Sequence, residues 1–482
     1  MKRSKFSLSN YKLFSCDLGE LVPCGLTEVL PGDTFQHATS ALVRLSPLLA
    51  PVMHPLHCRI HHWYVPTRLI WEDFQDFITG GDDGNDASVF PTISLTGAAR
   101  NTGSLADYLG VPTGNDIEVS ALPFRAYNLI FNEWYRDQDL VTELAISIAS
   151  GADSTTDTDL QNVAWERDYF TTSRPWEQKG PAVTLPLGDV APVTSTSSDD
   201  SDHLGIVNSS GTDRRLIYSA GNSIQTDGNP INAFLEADLS QATSASVSDI
   251  REAFALQRFE EARARYGSRY TEYLRYLGIN SSDARLQRPE YLGGAKQTIQ
   301  FSEVLQTAEG TDPVGELKGH GIGAMRSRKY RRFFEEHGYV LTFISLRPKT
   351  IYTQGIHRLW NKRVKEDFWQ KELQHIGQQE ILNKEIYAPH ASPDDTFGFQ
   401  DRYDEYRRTP SSVSGEFRDS TLDFWHMARE FSSDPALNSD FVTCTPTDRN
   451  FAVPSQDTVY IMANHSMQAR RMVAKTGTSF IY

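Results

Sequence analysis

The stretch at residues 30–81 reads LPGDTFQHATSALVRLSPLLAPVMHPLHCRIHHWYVPTRLIWEDFQDFITGG and holds the clearest structural signals of the chain. After a Pro-Gly-Asp turn, apolar and polar residues alternate up to Leu45, which predicts a half-buried strand. Prolines then recur every four residues from 47 to 55, and because proline lacks a backbone donor and disfavours helix, the chain must cross there in an extended form. A second alternating run, Leu56 to Val65, predicts another strand that ends at Pro66.

A short helix is predicted directly after this second strand. Thr67 is placed to cap it, its apolar face runs from Leu69 to Ile78, and Gly80 and Gly81 end it. Two strands joined by a long crossing, with a helix laid over them, indicate a β-sandwich with elaborate connections.

The composition is typical of a soluble globular protein. With 482 residues the chain is long enough for a large core. Mean hydropathy is -0.45, no apolar run approaches the length of a membrane span, and the basic start MKRSKFSLSNYK has no apolar segment behind it that would indicate a secretory signal. The cysteines show no CxxC spacing, so we expect free thiols made in a reducing cytoplasm.

Charge is distributed unevenly along the chain. The formal net charge of -15 argues against a general nucleic-acid binder, but residues 151–250 alone hold fifteen Asp and Glu against five Lys and Arg. The segment 151–245 is rich in Ser, Thr, Asp and Gly, which fits either a disordered linker or an exposed loop domain with a few weak strands. Either interpretation makes 151–245 an acidic insertion that faces solvent.

Further elements are widely spaced. Residues 1–29 are predicted to form an N-terminal arm, because they are polar and show little periodicity. Helices are predicted at Phe124–Arg136 and from Asp249 to Gly278, where a capping box begins an apolar stripe that the glycine ends. Strands are predicted at 339–346 and 457–463.

The fold class follows from this spacing. The clearest strands lie far apart in the sequence, and helices and loops fill the gaps. The sequence therefore predicts a mainly β chain, an antiparallel jelly-roll sandwich formed by residues 30–150 and 246–482, with long helix-containing connections.

No catalytic or metal-binding motif is evident. His57 and His61 share one face of the predicted strand while His62 points away, and no carboxylate or cysteine lies at ligand spacing, so packed or interfacial histidines are the simpler interpretation. The loop GGDDGNDAS lacks the oxygen spacing of a calcium loop, and GHGIGAM lacks the Lys-Ser or Lys-Thr of a phosphate-binding loop. Without GxSxG, HExxH or a paired acidic motif, the sequence predicts no enzyme, no metal and no cofactor.

Basic residues form three clusters in addition to a basic N-terminus. In MRSRKYRR, at 325–332, cations stand beside aromatic rings, a mixture suited to the phosphates and bases of single strands. The alternative is a solvated or subunit-facing surface. The candidate DNA-facing residues are Lys2, Arg3, Lys5, Arg326, Arg328, Lys329, Arg331, Arg332, Arg358, Lys362, Arg363, Arg470, Arg471 and Lys475.

Long segments of the chain resemble one viral family. EVLPGDTFQH, RIHHWYVPTRLIWEDF, LPFRAYNLIFNEWYRDQ, EHGYVLTFISLRP and FGFQDRYDEYRRTPSSVSGEFR are similar to segments of the major capsid protein of the Microviridae, the small icosahedral single-stranded DNA phages, in particular the gokushovirus-like branch. The resemblance implies an eight-stranded jelly roll whose copies form pentamers and then a T=1 shell around a circular single-stranded DNA genome. It also implies assembly in the bacterial cytoplasm, with an internal scaffolding protein, a pilot protein and a small basic DNA-binding protein as partners.

The resemblance also suggests a role for the acidic insertion. In the family a variable insertion rises from the shell as a protrusion that meets the host. We expect the acidic insertion to point outward toward a bacterial surface receptor, since acidic groups repel phosphates and the basic clusters suit the DNA side. The candidate host-attachment residues are Asp199, Asp200, Asp202, His203 and Asp213.

A competing interpretation is a carbohydrate-binding or carbohydrate-active jelly roll. Tryptophan-rich sandwiches with acidic loops are common among such proteins. This alternative predicts a monomer or dimer with carboxylates gathered in one cleft, whereas the capsid interpretation predicts very large uniform particles.

Overall fold

The computed structural model describes residues 3–82, 85–181, 183, 205–207, 213–219, 223–226, 247–267, 269–307 and 314–475. The chain divides into two compact units, one formed by Met1–Glu177 with Ser268–Tyr482 and the other by Gln178–Gly267. The first of these units contains the main sheet.

Strands form most of the regular structure in the described chain. In chain order they are β1 (Ser4–Ser7), β2 (Asn10–Cys16), β3 (Val22–Val29), β4 (Thr34–Leu45), β5 (Leu56–Pro66), β6 (Thr92–Leu95), β7 (Ile117–Ser120), β8 (Ala152–Asp153), β9 (Gly205–Val207), β10 (Asp213–Ser219), β11 (Ser223–Thr226), β12 (Glu290–Leu305), β13 (Leu317–Arg326), β14 (Tyr330–Phe333), β15 (Gly338–Pro348), β16 (Gln378–Leu382), β17 (Thr396–Asp401) and β18 (Val459–Arg471).

One antiparallel sheet organises the larger unit. Its strands follow the order β1-β18-β4-β13-β12-β5-β15-β3, while β14 also pairs with β4 and β2 with β18. The two strands predicted from the 30–81 stretch, β4 and β5, therefore lie in one sheet but are separated by β13 and β12. β4 pairs with β18 from Thr34 opposite Arg470 to Leu45 opposite Val459, so an early strand and the last strand lie side by side.

β12 connects the two halves of this sheet. Its first part, from Glu290 to Ile299, pairs with β5, and its second part, from Gln300 to Leu305, pairs with β13. A bulge lies in the first part, between Tyr291 and Gly293, and bulges bend strands. The sheet curls, and its inner face encloses the core.

The inner faces of the two halves share this core. Val43 of β4 and Ile461 of β18 belong to the same buried cluster as Ile60 of β5 and Ile344 of β15. Such residues occupy alternate positions along their strands, since successive side chains of a strand point to opposite faces. The mainly β, antiparallel sandwich predicted from the sequence is confirmed.

Most helices of the described chain are short. They are α1 (Phe74–Thr79), α2 (Leu105–Leu109), α3 (Leu122–Ile130), α4 (Val247–Tyr266), α5 (Tyr270–Tyr276), α6 (Asn383–Ile386) and α7 (Ser439–Val442), with a π turn at Phe131–Tyr135 and 3-10 helices at Thr67–Leu69, Gly97–Arg100, Arg358–Asn361, Lys365–Asp367, Asp404–Tyr406, Gly415–Arg418 and Asp423–Trp425. None of the helices in the described segments is long and apolar enough to cross a membrane.

Two predicted helices differ from the observed ones. After β5 the chain forms a 3-10 turn and then α1, with Trp71 buried between them and Phe77 and Ile78 exposed, so a single apolar face does not run through this region. The stripe predicted from Asp249 to Gly278 is divided between α4 and α5. The division falls at Gly267, whose φ of +98° is a conformation that glycine adopts without a Cβ penalty.

Residues 1–29, predicted as an arm, contain β1, β2 and β3 of the main sheet. Periodicity is weak there because β2 exposes apolar residues on its outer face: Tyr11 and Leu13 are exposed, while Phe14 packs against the core. The pairing partner of β1 and β2 is β18, at the other end of the sequence, so local patterning contains no information about it. The limits predicted for the acidic insertion, 151–245, stay a prediction.

Candidate nucleic-acid interface

One half of the main sheet carries no acidic side chain. β1, β2, β4, β13, β14 and β18 contain no Asp or Glu, although the chain has a formal net charge of -15. A surface with one sign of charge attracts ligands of the opposite sign. The Lys and Arg of these strands are Lys5, Lys12, Arg44, Lys318, Arg326, Arg331, Arg332, Arg470 and Arg471.

Strand register brings three of these cations, far apart in sequence, onto one face. Lys5 lies opposite Arg470 in the β1–β18 ladder. Arg331 lies opposite Gln36 of β4, which in turn lies opposite Gln468 of β18. Because residues two apart in a strand share a face, Arg331 and Arg470 project from the same side. Lys5, Arg331 and Arg470 are exposed and line one surface cleft of about 100 Å³. We call this side of the acid-free strands the basic face.

Further cations extend the basic face. Arg326 lies opposite Ser40 of β4, and Arg328 and Lys329 follow in the exposed loop between β13 and β14. Within the described ranges, none of these three cations forms a salt bridge. Their charge is therefore available to an external anion.

Exposed rings and apolar side chains accompany the cations. Tyr11 and Leu13 of β2 are 67% and 76% exposed, and they lie opposite Asn464 and Met462 of β18. Tyr460 of β18 is exposed on the same side. A positively charged sheet surface with accessible rings resembles the surfaces on which single-stranded nucleic acids stack their bases.

Some of the predicted residues have partners within the protein. The Nε atom of Arg471 donates to Asp33 at 2.9 Å, and an Nη atom of Arg332 lies 3.1 Å from Glu290. Arg3 donates to the Thr34 hydroxyl at 3.0 Å. Burial raises the pKa of Asp33, and the Arg471 guanidinium opposes that shift. These contacts use part of the hydrogen-bonding capacity of the three arginines, and the DNA-facing assignment of the three stays a prediction.

The group at 358–363 lies elsewhere. Arg358 pairs with Glu385 at 2.9 Å, and the Lys362 ammonium lies 4.1 Å from the centroid of the Tyr406 ring. Arg363 is exposed and donates to backbone carbonyls of its own segment. The structure does not place these three cations on the acid-free strands.

The remaining predicted residues lie at the ends of described segments or outside the described ranges. Lys475 is exposed beyond the end of β18. Asp213 begins β10, for which only the backbone is described. The residues that lie outside the described ranges are Lys2, Asp199, Asp200, Asp202 and His203.

Three cations of these strands were not predicted from the sequence. Arg44 is exposed on β4, Lys318 pairs with Glu316 at 2.7 Å, and the Lys12 ammonium donates to the backbone carbonyl of Pro23 at 3.0 Å. Burial lowers the pKa of Lys12, so only Arg44 extends the basic face. The basic face could have been found from the sequence by looking for predicted strands that contain no Asp or Glu. A search for clusters of basic residues does not find Arg44, because it is the single cation of its strand.

The histidine-rich region forms a buried polar layer. The two ring nitrogens of His62 lie 2.9 Å from the hydroxyls of Thr342 and Ser327, and His37 Nε2 lies 3.4 Å from His465 Nδ1. Burial lowers the pKa of His37 to about 3 and that of His62 well below its usual value, so both rings are neutral near pH 7. Among the described residues, no group of three His, Cys, Asp or Glu is arranged to hold a metal ion.

Comparisons with known proteins point to one class. The family model described as "Capsid protein (F protein)" matches residues 1–480. The chain is 37% identical to capsid protein VP1 of Bdellovibrio phage phiMH2K, over 94% of this chain and 90% of that protein. It is 33% identical to capsid protein VP1 of Chlamydia phage 1 (95% and 92% covered) and 32% identical to capsid protein VP1 of Spiroplasma virus 4 (94% and 90% covered). The comparisons favour the capsid interpretation over the carbohydrate-binding one.

Proposed function

The chain belongs to the phage F capsid protein family, as a gokushovirus-like member of the Microviridae, and we propose that its copies form pentamers and then a T=1 icosahedral shell around a circular single-stranded DNA genome. The chain is a structural component of the virion and not an enzyme, as the sequence predicted.

The basic face is the observation that carries the genome-facing part of the proposal. Lys5, Arg331 and Arg470 are exposed on strands without a single carboxylate, in a chain that is otherwise strongly acidic. Cations that neutralise phosphates release counterions, which drives sequence-independent binding to DNA. Nearby rings such as Tyr11 add stacking that tolerates any base. We assign the basic face to the inner surface of the shell.

Photo-cross-linking in purified particles tests this assignment. Particles are irradiated with ultraviolet light, digested with nuclease and protease, and searched by mass spectrometry for peptides that carry nucleotides. We expect adducts on peptides from β1, β2, β14 and β18, at Tyr11 and Tyr460 above all. Adducts confined to residues 151–245 would place the acidic insertion inside and overturn the assignment.

The other partners are proposed from the family. They are an internal scaffolding protein, a pilot protein and a small basic DNA-binding protein. The charge balance supports the last of these, because a chain with a net charge of -15 leaves most of the phosphate charge to be neutralised by other cations.

The acidic insertion is proposed to point outward and to bind a bacterial surface receptor. Its support is the charge of residues 178–250, where nine Asp and Glu against three Lys and Arg suit a solvent-facing surface rather than one facing DNA. Acidic residues nearer the start of the predicted insertion, such as the fully buried Asp153, belong to the larger unit and do not support this placement. Deleting residues 190–215 is expected to leave shells intact and to reduce attachment of phage to cells. Loss of shells in this variant would contradict the outward placement.

A further inference from the structure

A surface rich in exposed aromatic and aliphatic side chains lies between the 3-10 helix at Arg358–Asn361 and Ile376. Six of its side chains are between 52% and 64% exposed: Leu359, Trp360, Val364, Phe368, Trp369 and Ile376. Because a large aromatic side chain presents roughly 150–250 Å², half-exposed rings here leave several hundred Å² of apolar surface in water. Exposed patches of that size mark interaction sites.

This surface is held in shape rather than loosely attached. The Tyr403 hydroxyl lies 3.2 Å from the backbone carbonyl of Glu366 and 3.0 Å from that of Phe368. The Lys362 ammonium lies 4.1 Å from the Tyr406 ring centroid and 5.4 Å from that of Phe368. A preorganised surface loses little conformational entropy when a partner binds.

The same segment is basic. Residues 358–376 contain five Lys and Arg against three Asp and Glu. The Arg363 guanidinium and the Lys371 ammonium form no salt bridge in the described part of the chain, and both residues are exposed. Lys365 pairs only with its neighbour Glu366, at 3.6 Å. We call residues 358–376 together with Tyr406 the aromatic-basic surface.

A second exposed apolar surface has the opposite charge. Phe77 and Ile78 of α1 and Val89 and Phe90 in the following loop are exposed. The rings of Phe77 and Phe90 lie 4.8 and 5.4 Å from the buried Trp71 ring, which fixes them. This surface belongs to residues 72–82 and 85–90, which we call the acidic-apolar surface.

The acidic-apolar surface carries no positive charge of its own. Residues 69–99 contain six Asp and Glu and no Lys or Arg. Glu72, Asp76 and Asp82 are exposed, and none of them has a salt-bridge partner among the described residues. An apolar surface that also carries exposed carboxylates without salt bridges fits a partner that is apolar and basic.

We propose that the aromatic-basic surface of one copy of this chain docks on the acidic-apolar surface of the next copy. The inference rests on the proposed function, because it names the contact by which capsid subunits join. The two surfaces match in two respects, since both expose apolar side chains and they carry opposite charges. Because two different patches meet, the contact is heterologous, which is the class of contact that builds rings of subunits.

A second copy fits the aromatic-basic surface better than DNA does. Leu359, Val364 and Ile376 offer aliphatic area that neither phosphates nor base stacking uses, and the carboxylates of Glu366, Asp367 and Glu372 interrupt the cations. The acidic-apolar surface in turn repels DNA and needs a basic partner. The assignment therefore moves Arg358, Lys362 and Arg363 from the DNA-facing set to a subunit contact.

Charge reversal with rescue tests the pairing. One variant carries Arg363→Glu with Lys371→Glu, and another carries Asp76→Lys with Asp82→Lys, all at exposed positions. Each variant is made in cells that contain the other phage proteins, and particles are quantified by sedimentation. Because like charges then face each other, we expect particle yield to fall about tenfold or more in each variant. The chain that combines all four substitutions is expected to regain particles, since opposite charges face each other again.

The same experiment includes a control variant with two charge reversals outside both surfaces. Arg285→Glu with Glu416→Lys, two exposed charges outside both surfaces, is expected to assemble like wild type. If either reversal variant assembles like wild type, or if the combined chain stays unassembled, the pairing is overturned while the capsid function stands. If the wild-type chain itself forms no particles, the proposed function falls and this inference with it.

Discussion

Lys5 and Arg470 lie directly opposite each other on β1 and β18, although they are near the two ends of the chain. Like charges placed opposite each other in a ladder destabilise the pair. No carboxylate on the neighbouring strands β2 and β4 offsets this repulsion. A bound phosphate would offset this repulsion, which supports the proposal that the pair faces DNA.

Neutralising the basic face is expected to weaken binding to single-stranded DNA and to reduce its salt dependence. Because each phosphate contact contributes about 0.7 to the slope of log affinity against log salt on single strands, Lys5→Gln, Arg331→Gln and Arg470→Gln together lower the slope by about 2. Fluorescence anisotropy with a labelled oligonucleotide at several salt concentrations measures it. Arg285→Gln, an exposed arginine outside the acid-free strands, serves as control. An unchanged slope in the triple variant would contradict the assignment.

The buried histidine layer is expected to make the sandwich acid-sensitive. Burial lowers the pKa of His37 to about 3 and that of His62 well below 6.5. The unfolded chain therefore takes up protons as pH falls below about 6.5, whereas the folded chain does not, so the free energy of unfolding decreases from there toward about pH 3. Replacing His62 by Gln keeps an amide near the Thr342 and Ser327 hydroxyls but removes the titrating ring. Thermal melting at pH 7 and pH 4.5 should show a smaller loss of Tm in this variant.

The matched control for that experiment is His375→Gln, because His375 is exposed. It should leave the pH dependence of Tm as in wild type. Equal losses of Tm in wild type and in His62→Gln would show that the layer does not govern acid sensitivity.

The ion pair between Arg125 and Asp153 is expected to be essential for stability. Both side chains are fully buried, and Arg125 Nε lies 2.8 Å from Asp153 Oδ2. Removing one partner of a buried pair leaves an uncompensated charge, so Arg125→Met should lower the free energy of unfolding by about 3–5 kcal/mol. Urea unfolding measures it. Arg68→Met, which removes a partly exposed pair with Glu336, should cost about 1 kcal/mol or less, and equal effects of the two changes would contradict the argument.

Glu20 is expected to reduce stability at alkaline pH. Burial raises its pKa to about 7, and the nearby charges of Asp17 and Asp457 add to the shift. The folded chain thus holds a proton that the unfolded chain has lost, so stability falls as pH rises from about 4.5 to about 7 and stays reduced above it. Glu20→Gln should therefore melt at a higher temperature than wild type at pH 8 and at the same temperature at pH 4. A lower Tm of the variant at pH 8 would refute this.

Local periodicity was sufficient to predict some strands and not others. β4, β5, β15 and β18 have long alternating or continuously apolar runs because they line the core. β12 lacks such a run: Ile299 is its one buried residue, and the rest is half-buried or exposed. The order of strands in the sheet depends on pairings between distant segments, which no local pattern contains.

The sequence predicted which residues take part in the candidate site, but it did not predict how the strands bring them together. The sequence placed Lys5, Arg331 and Arg470 in three separate basic groups, and only the pairing of β1, β14 and β18 shows that they share a face. It also grouped Arg358 with these three cations, because a cluster of basic residues in the sequence does not show where their side chains lie in the folded chain. What separates the two groups is the tertiary position of their strands and loops.

Sedimentation followed by nuclease digestion, on protein taken from the cells in which the phage is made, tests whether this chain forms a shell around DNA. We expect uniform particles far heavier than the 54.3 kDa chain that protect single-stranded DNA from nuclease. A stable monomer or dimer without protected DNA, found although the other phage proteins are present, would contradict it.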